Sequence, residues 1–170
     1  MVVHQLAREA GADVLAAVAA ALTAAEVRAG SVADAPTVGA VDALKAARAS
    51  GRRVAVVSNN SAECVHAYLS TQGLSDAVEV VAGRPALRPD LMKPSPHPLL
   101  EAAAILGVAP DRTALVGDSV SDTEAARAAA ANSIGFANKP GKTEALAVAC
   151  AVIADTGALA RAPTALPGGR

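Results

Sequence analysis

Aromatic residues are nearly missing from this 170-residue chain: Tyr68 and Phe136 are the only two, and tryptophan does not occur. Proteins that bind nucleic acids stack bases on aromatic side chains and carry a basic excess. The net charge here is −1, so the basic excess is missing as well. These two absences argue against a dedicated nucleic-acid-binding protein.

Patterns of metal-ligating and disulfide-forming residues are also missing. Cys64 and Cys150 are the only cysteines and form no CxxC pair, so the sequence predicts neither a disulfide framework nor a zinc site. The histidines, His4, His66 and His97, are scattered without the spacing of zinc ligands. We expect both cysteines to be small residues of the core.

Long apolar runs are absent too. The longest, residues 14–25, is about half the length that spans a bilayer, and charged residues flank it, which argues against a signal peptide. Hydrophobic residues make up 52% of the chain, and with a net charge near zero this composition argues against disorder. We therefore expect a cytoplasmic protein without a membrane partner.

Alanine makes up about a quarter of the residues, well above its usual share. From residue 54 onward, short β-branched runs alternate with helical patterns, which is typical of parallel sheets covered by helices. The pattern predicts an α/β fold with a doubly wound parallel sheet. We predict strands at 54–57, 78–81, 113–116, 133–137 and 151–154. We predict helices at 4–29 (broken at Gly11), 38–49, 62–72, 98–106, 122–131 and 143–149, with loops at 30–36 and 84–98.

Polar side chains follow two of the predicted strands, at the edge where an open α/β sheet binds its ligands. Ser58 and Asn59 come directly after the first of these strands, and Asp118 follows the third. Asp122 begins the next helix, and Lys93 lies in the long proline-rich loop. A hydroxyl and a lysine can hold a phosphate, and carboxylates can hold Mg²⁺, which prefers carboxylate and phosphate oxygens.

Three motifs resemble the second, third and fourth motifs of the haloacid dehalogenase (HAD) superfamily: Ser58-Asn59, Lys93-Pro94-x-Pro96 and Gly117-Asp118-x-x-x-Asp122. Their order and spacing are similar to the phosphoglycolate-phosphatase-like branch, over residues 38–155. The resemblance implies a HAD-like Rossmannoid core and a Mg²⁺-dependent phosphatase of a small phosphorylated metabolite, acting through an aspartyl-phosphate. It implies catalytic roles for Ser58 and Lys93, phosphate binding by Ser58, Asn59 and Lys93, and metal binding by Asp118 and Asp122.

The first motif of that family, a strand ending in Asp-x-Asp that carries the nucleophile, has no counterpart in this sequence. By resemblance, residues 1–37 are a partial N-terminal helical cap, 38–160 the core and 161–170 a flexible tail. We therefore expect the chain to begin inside the cap, to lack the central strand of the sheet, and to be truncated or inactive as written. Two strand edges would then be unpaired, which favours association with another chain.

Each candidate residue also has an ordinary structural interpretation. A lysine in a polar loop is usually solvated. Ser121-x-x-Glu124 matches a helix-capping box, beside which Asp122 would only favour the helix dipole. Arg84 and Arg88 either line the mouth of the site or, as the simpler account, are solvated loop charges.

The alternative function is a non-catalytic module that binds phosphate or a protein partner on a HAD scaffold. A receiver-like regulatory domain is a third interpretation, but the phosphorylatable strand-end aspartate and its acidic neighbours are absent. Phosphoglycolate, sugar phosphates and nucleotides all stay open as substrates, and so does the oligomeric state.

Overall fold

Helices and strands alternate along most of the computed structural model, which describes residues 11–162. The helices are α1 (Ala12–Ser31), α2 (Ala40–Ala49), α3 (Ala62–Thr71), α4 (His97–Leu106), α5 (Val120–Ala128), α6 (Lys142–Ala145) and α7 (Gly157–Arg161). The strands are β1 (Ala55–Val57), β2 (Val80–Ala82), β3 (Ala114–Gly117), β4 (Asn132–Phe136) and β5 (Ala151–Ile153). Short 3₁₀ turns occupy Ser75–Ala77, Pro89–Leu91 and Pro110–Arg112.

The strands form two parallel sheets. β1 pairs with β2, and Val57 lies opposite Ala82. β3, β4 and β5 form the second sheet, in which Gly117 lies opposite Gly135. Within residues 11–162, β1 and β3 are each paired along one edge only. The predicted α/β class with parallel strands is confirmed, and the sheet is divided between β1 and β3.

One hydrophobic cluster joins the two sheets. Leu99 of α4 is buried together with Ala126 of α5 and with Ala129, which follows α5. Val57 of β1 and Leu115 of β3 both pack against this cluster. Small alanine side chains let a helix approach a sheet closely, and interiors are packed to high density. The two sheets are therefore held on one core, although no backbone ladder connects them within residues 11–162.

Two helices differ from the predicted ones. The helix expected at 143–149 ends at Ala145, and the chain turns there to bury Leu146 completely. Gly135 on β4 makes room for it, because a Cβ at that position would lie 2.8 Å from the Leu146 Cβ. The pattern also missed α7, which the Thr156 hydroxyl anchors by donating to the Val38 carbonyl at 2.6 Å.

Other boundaries agree closely with the prediction. α1 continues through Ser31, two residues beyond its predicted end, so the following loop is shorter than expected. The first residues of the predicted 4–29 helix lie outside the described residues. The same holds for most of the predicted tail, from residue 163 onward.

α1 is, among residues 11–162, the one helix long and apolar enough to cross a membrane by length and composition alone. It packs against α3. The buried Gly30 lies at this contact, where a Cβ would lie 2.8 Å from the Cys64 carbonyl oxygen. Cys64 is buried as predicted, whereas Cys150 is exposed, so its predicted place in the core is wrong. Cys150 is exposed because it immediately precedes β5, whose first residue, Ala151, is also exposed.

Replacing Gly30 tests this helix contact. A glycine-to-alanine change within a helix ordinarily stabilises by about 1 kcal/mol. At Gly30 we expect the opposite sign, a loss of about 1–3 kcal/mol, because the added methyl group overpacks the contact with α3. Urea unfolding of Gly30→Ala measures the change. Ala29→Ser, at an exposed neighbouring position, is the control, and increased stability of Gly30→Ala would contradict the packing described.

Candidate functional site

Lys93 extends from the long loop to the carboxyl end of β1. Its Nζ donates to the Val57 carbonyl oxygen at 2.9 Å and to Asp122 Oδ1 at 2.6 Å. The Lys93 side chain is only 12% exposed, so the interpretation as a solvated loop lysine is wrong. The ammonium group therefore joins the end of the first sheet to the helix that follows β3.

Asn59 fixes the main chain of the same lysine. The Asn59 amide donates to the Lys93 carbonyl at 3.0 Å, and Asn59 Oδ1 accepts from the Lys93 N–H at 2.8 Å. Ser58, just before it, donates its N–H to the Ala82 carbonyl, and its hydroxyl accepts from the Asn60 N–H at 3.1 Å. The loop after β1 is thus ordered by its own hydrogen bonds, with the Ser58 hydroxyl at the strand end.

Asp122 belongs to a capping box at the start of α5. Its Oδ2 accepts from the Ser119 N–H at 3.0 Å, and the Ser119 hydroxyl accepts from the Ser121 N–H at 3.3 Å. The predicted box on Ser121 and Glu124 is wrong, because the N-cap of the helix is Ser119, whose backbone is extended. Gly117 allows this arrangement, since a Cβ there would overlap the Asp122 carboxyl group.

Asp118 directly follows β3, and its side chain is 48% exposed. Its Oδ2 accepts from the Asn138 amide at 3.2 Å and from Lys142 Nζ at 3.1 Å. Lys142 also donates to the main-chain carbonyl of Asp118. Burial raises the pKa of the Asp118 carboxyl, but the hydrogen bonds from Lys142 and Asn138 outweigh burial, and the pKa lies below its ordinary value of 3.8.

Asn138 and Lys142 were not among the predicted site residues. Asn138 belongs to the turn after β4 and Lys142 begins α6 directly after that turn, at the same edge of the second sheet as the end of β3. The strand-end rule that identified Asp118 applies equally to this turn. The same rule therefore indicates residues 138–142 from the sequence as well.

Four of the five predicted site residues fall into two hydrogen-bonded groups, and Ser58 is in neither. Lys93 forms one with Asn59 and Asp122, and Asp118 forms the other with residues of the turn after β4. The contacts of Asn59 are to the main chain of Lys93, so its described role is to position that loop. The catalytic, phosphate-binding and metal-binding roles of all five residues stay predictions.

The donor chemistry of Asp118 fits Mg²⁺. This ion is typically bound by one or two carboxylates and completes its shell with water and phosphate oxygens. Asp118 is a half-exposed carboxylate at a strand end, whereas both oxygens of Asp122 accept hydrogen bonds from other groups. Among residues 11–162, no group of three or more His, Cys, Asp or Glu side chains could hold a metal by itself.

The sequence pattern of the haloacid dehalogenase-like hydrolases matches residues 3–130, which is more than half of the chain. The chain belongs to this family.

Similar curated proteins place this HAD chain near one branch of the family. A phosphoglycolate phosphatase of Nitrosococcus oceani is 42% identical over 82 residues, which are 48% of this chain and 36% of that protein. A phosphoglycolate phosphatase of Thiobacillus denitrificans is 39% identical over 94 residues, 55% of this chain and 40% of that protein. The predicted HAD superfamily and its phosphoglycolate-phosphatase-like branch are confirmed. The chain matches 36–40% of the length of these two relatives.

Solved structures agree with the HAD fold. CbbY of Rhodobacter sphaeroides, solved in complex with phosphate, has a TM-score of 0.72 at 25% identity, covering 85% of this chain and 65% of that chain. A conserved haloacid dehalogenase-like protein of Agrobacterium tumefaciens has a TM-score of 0.57 at 32% identity, covering 64% of this chain and 51% of that chain.

A buried ion pair connects α1 to the Ser58 loop of this HAD core. Arg84 pairs with Glu26, and their side chains are 7% and 15% exposed. Glu26 Oε2 accepts from the Ser61 N–H at 2.9 Å, and the Arg84 N–H donates to the Asn60 carbonyl at 2.7 Å. Burial raises the pKa of the Glu26 carboxyl, but its hydrogen bonds from Arg84 and Ser61 leave the pKa below its ordinary value of 4.5.

The expectation that Arg84 is a solvated loop charge is therefore wrong, because a carboxylate on α1, distant in sequence, covers it. The same expectation is confirmed for Arg88, whose side chain is 57% exposed. The two paired residues thus hold the carbonyl and the N–H of the Asn60–Ser61 peptide bond, shortly after the strand-end Ser58.

Arg84→Met tests the contribution of the buried pair. The variant leaves the Glu26 carboxylate buried without its cation, which we expect to lower the free energy of unfolding by about 3 kcal/mol. Arg88→Met, which removes an exposed pair with Asp90, is the matched control and should leave that free energy almost unchanged. Equal losses in the two variants, measured by urea unfolding, would contradict the importance given to the Arg84–Glu26 pair.

Proposed function

We propose that this chain supplies the phosphate- and cation-binding part of a Mg²⁺-dependent phosphatase that acts on a small phosphorylated metabolite. The observation that carries the proposal is the ammonium group of Lys93. It is largely buried and held in place at the carboxyl end of β1, where the Ser58 hydroxyl also lies. A buried cation beside a strand-end hydroxyl is suited to an anionic group that arrives from solvent.

The roles of these residues follow from the charge that phosphoryl transfer must stabilise. The transferring group carries negative charge on its equatorial oxygens, and catalysis consists mostly of positioning and neutralisation. The Ser58 hydroxyl donates to one of these oxygens. Lys93 offsets their charge, and its two hydrogen bonds hold the ammonium in position before substrate arrives. Asp118 would hold Mg²⁺, which supplies further neutralisation of the phosphoryl charge when bound.

The nucleophile is proposed to come from a strand seated between β1 and β3. No Asp-x-Asp occurs in the 170 residues. β1 and β3 each have an unpaired edge in the described part of the chain, and both pack on the same hydrophobic cluster. Val116 of β3 is 40% exposed, although it lies in a strand of apolar residues. A parallel strand here would pair both edges, and its carboxyl end would lie beside Ser58 and Asp118.

The relatives support the class of substrate. The two curated relatives are named phosphoglycolate phosphatases, and CbbY was solved with phosphate. A small phosphorylated metabolite is therefore the proposed substrate of this chain, with phosphoglycolate as the first compound to assay. Pairing of the open strand edges between two copies of the chain stays a prediction.

A non-catalytic phosphate-binding module is the second candidate. The absence of Asp-x-Asp from the sequence favours it, because loss of a catalytic nucleophile removes on the order of a millionfold in rate. The two candidates share the same anion site and differ in turnover.

Turnover after addition of the strand distinguishes them. A designed apolar strand ending in Asp-x-Asp, joined through a flexible linker before residue 1, should give Mg²⁺-dependent hydrolysis of p-nitrophenyl phosphate and phosphoglycolate. The matched strand ending in Asn-x-Asp should give none, and Lys93→Met or Asp118→Asn should lower kcat by about 100-fold or more. The chain without the added strand should be inactive.

Two results would argue otherwise. An extended chain that folds but hydrolyses neither substrate would favour the binding module. Hydrolysis by the unextended chain that Asp118→Asn abolishes would mean that its nucleophile lies within these 170 residues, and would refute the proposed added strand.

A further inference from the structure

The turn between β4 and α6 places two donors on one oxygen of Asp118. The Asn138 amide and Lys142 Nζ both donate to Oδ2, at 3.2 and 3.1 Å, and neither uses Oδ1. Lys142 also donates to the main-chain carbonyl of Asp118. One charged donor and one neutral donor, only four residues apart in the chain, therefore bind the same carboxylate oxygen.

Lys142 is itself held in place by the core. It is the first residue of α6 and lies four residues before Leu146, which directly follows that helix. Leu146 is completely buried against Gly135 of β4, and its N–H donates to the Lys142 carbonyl at 2.9 Å. The main chain of Lys142 is thus anchored independently of its contact with Asp118.

We propose that Lys142 and Asn138 are positioning residues, which hold Asp118 so that its Oδ1 is oriented to take a divalent cation. The inference rests on the metal role of Asp118 in the proposed function. Outer partners of a metal-ligating carboxylate commonly orient it, and their loss weakens metal binding. The ordering of the side chain is then complete before the cation binds, which lowers the entropic cost of binding.

The opposite role for Lys142 is that of a competing cation, which would have to leave before a metal could bind. Two observations favour positioning. Asn138 carries no charge, yet it makes the same contact with Oδ2. Lys142 also donates to the main-chain carbonyl of Asp118, and its own main chain is anchored through Leu146, so contacts other than the ion pair with the carboxylate help to hold it.

Titration of the 170-residue chain with Mn²⁺ alone tests the proposal without any assay of activity. Paramagnetic broadening of the methyl signals in the NMR spectrum of Val116 and Val120, two residues on either side of Asp118, reports binding at this carboxylate.

We expect Lys142→Met to weaken Mn²⁺ binding by about 10-fold or more, and Asn138→Ala to weaken it less. Lys139→Met, which removes the same charge at an exposed position in the same turn, should leave binding unchanged.

Lys142→Arg separates positioning from a folding defect, because it keeps the charge and the donors, and it should recover most of the affinity. Unchanged or tighter Mn²⁺ binding in Lys142→Met, with binding lost in Asp118→Asn, would overturn this inference and leave the metal role of Asp118 intact. Equal broadening in the wild-type chain and in Asp118→Asn would overturn the metal role itself, and the inference with it.

Discussion

The arrangement of the site depends on one ammonium group. Lys93 donates to the last carbonyl of β1, in the first sheet, and to the carboxylate of Asp122 on α5, the helix that follows β3 of the second sheet. Burial of an ion pair costs desolvation, which is offset only where the remaining polar atoms are also bonded. Here Asn59 Oδ1 accepts a hydrogen bond from the Lys93 N–H, and the Ser119 N–H donates to the second oxygen of Asp122. The cation is therefore fixed in place without any ligand.

The divided sheet gives this interaction its importance. β1 and β3 share no ladder in the part of the chain that the structure describes, so their relative position depends on side chains. Both strands pack against the hydrophobic cluster around Leu99, and Lys93 joins the end of β1 to α5 at the carboxyl edge.

The loop that contains Ser58 is also held by side chains, because Glu26 of α1 and Arg84 bond the Asn60–Ser61 peptide. Side-chain contacts thus do what the missing ladder would otherwise do.

Much of this architecture could be predicted because strands and strand ends have local signals. Apolar runs in the sequence predict all five strands found among residues 11–162, and the positions directly after β1 and β3 indicate Ser58 and Asp118. The Arg84–Glu26 pair could not be predicted in this way, since its partners are 58 positions apart and no periodicity connects them.

The predicted N-terminal cap of α5 was wrong for a different reason. Ser119-x-x-Asp122 and Ser121-x-x-Glu124 satisfy the same local rule, and the contacts of Asp122 with Lys93 and Ser119 distinguish them.

The central claim is that the fixed ammonium of Lys93 and the hydroxyl of Ser58 form a phosphoryl site. A crystal structure of the chain with tungstate, an anomalously scattering mimic of phosphate, tests it most directly. The account predicts an anomalous peak within hydrogen-bond distance of both Lys93 Nζ and Ser58 Oγ, at the carboxyl end of β1. Tungstate bound only at other surfaces, with this edge left empty at saturating concentration, would contradict it.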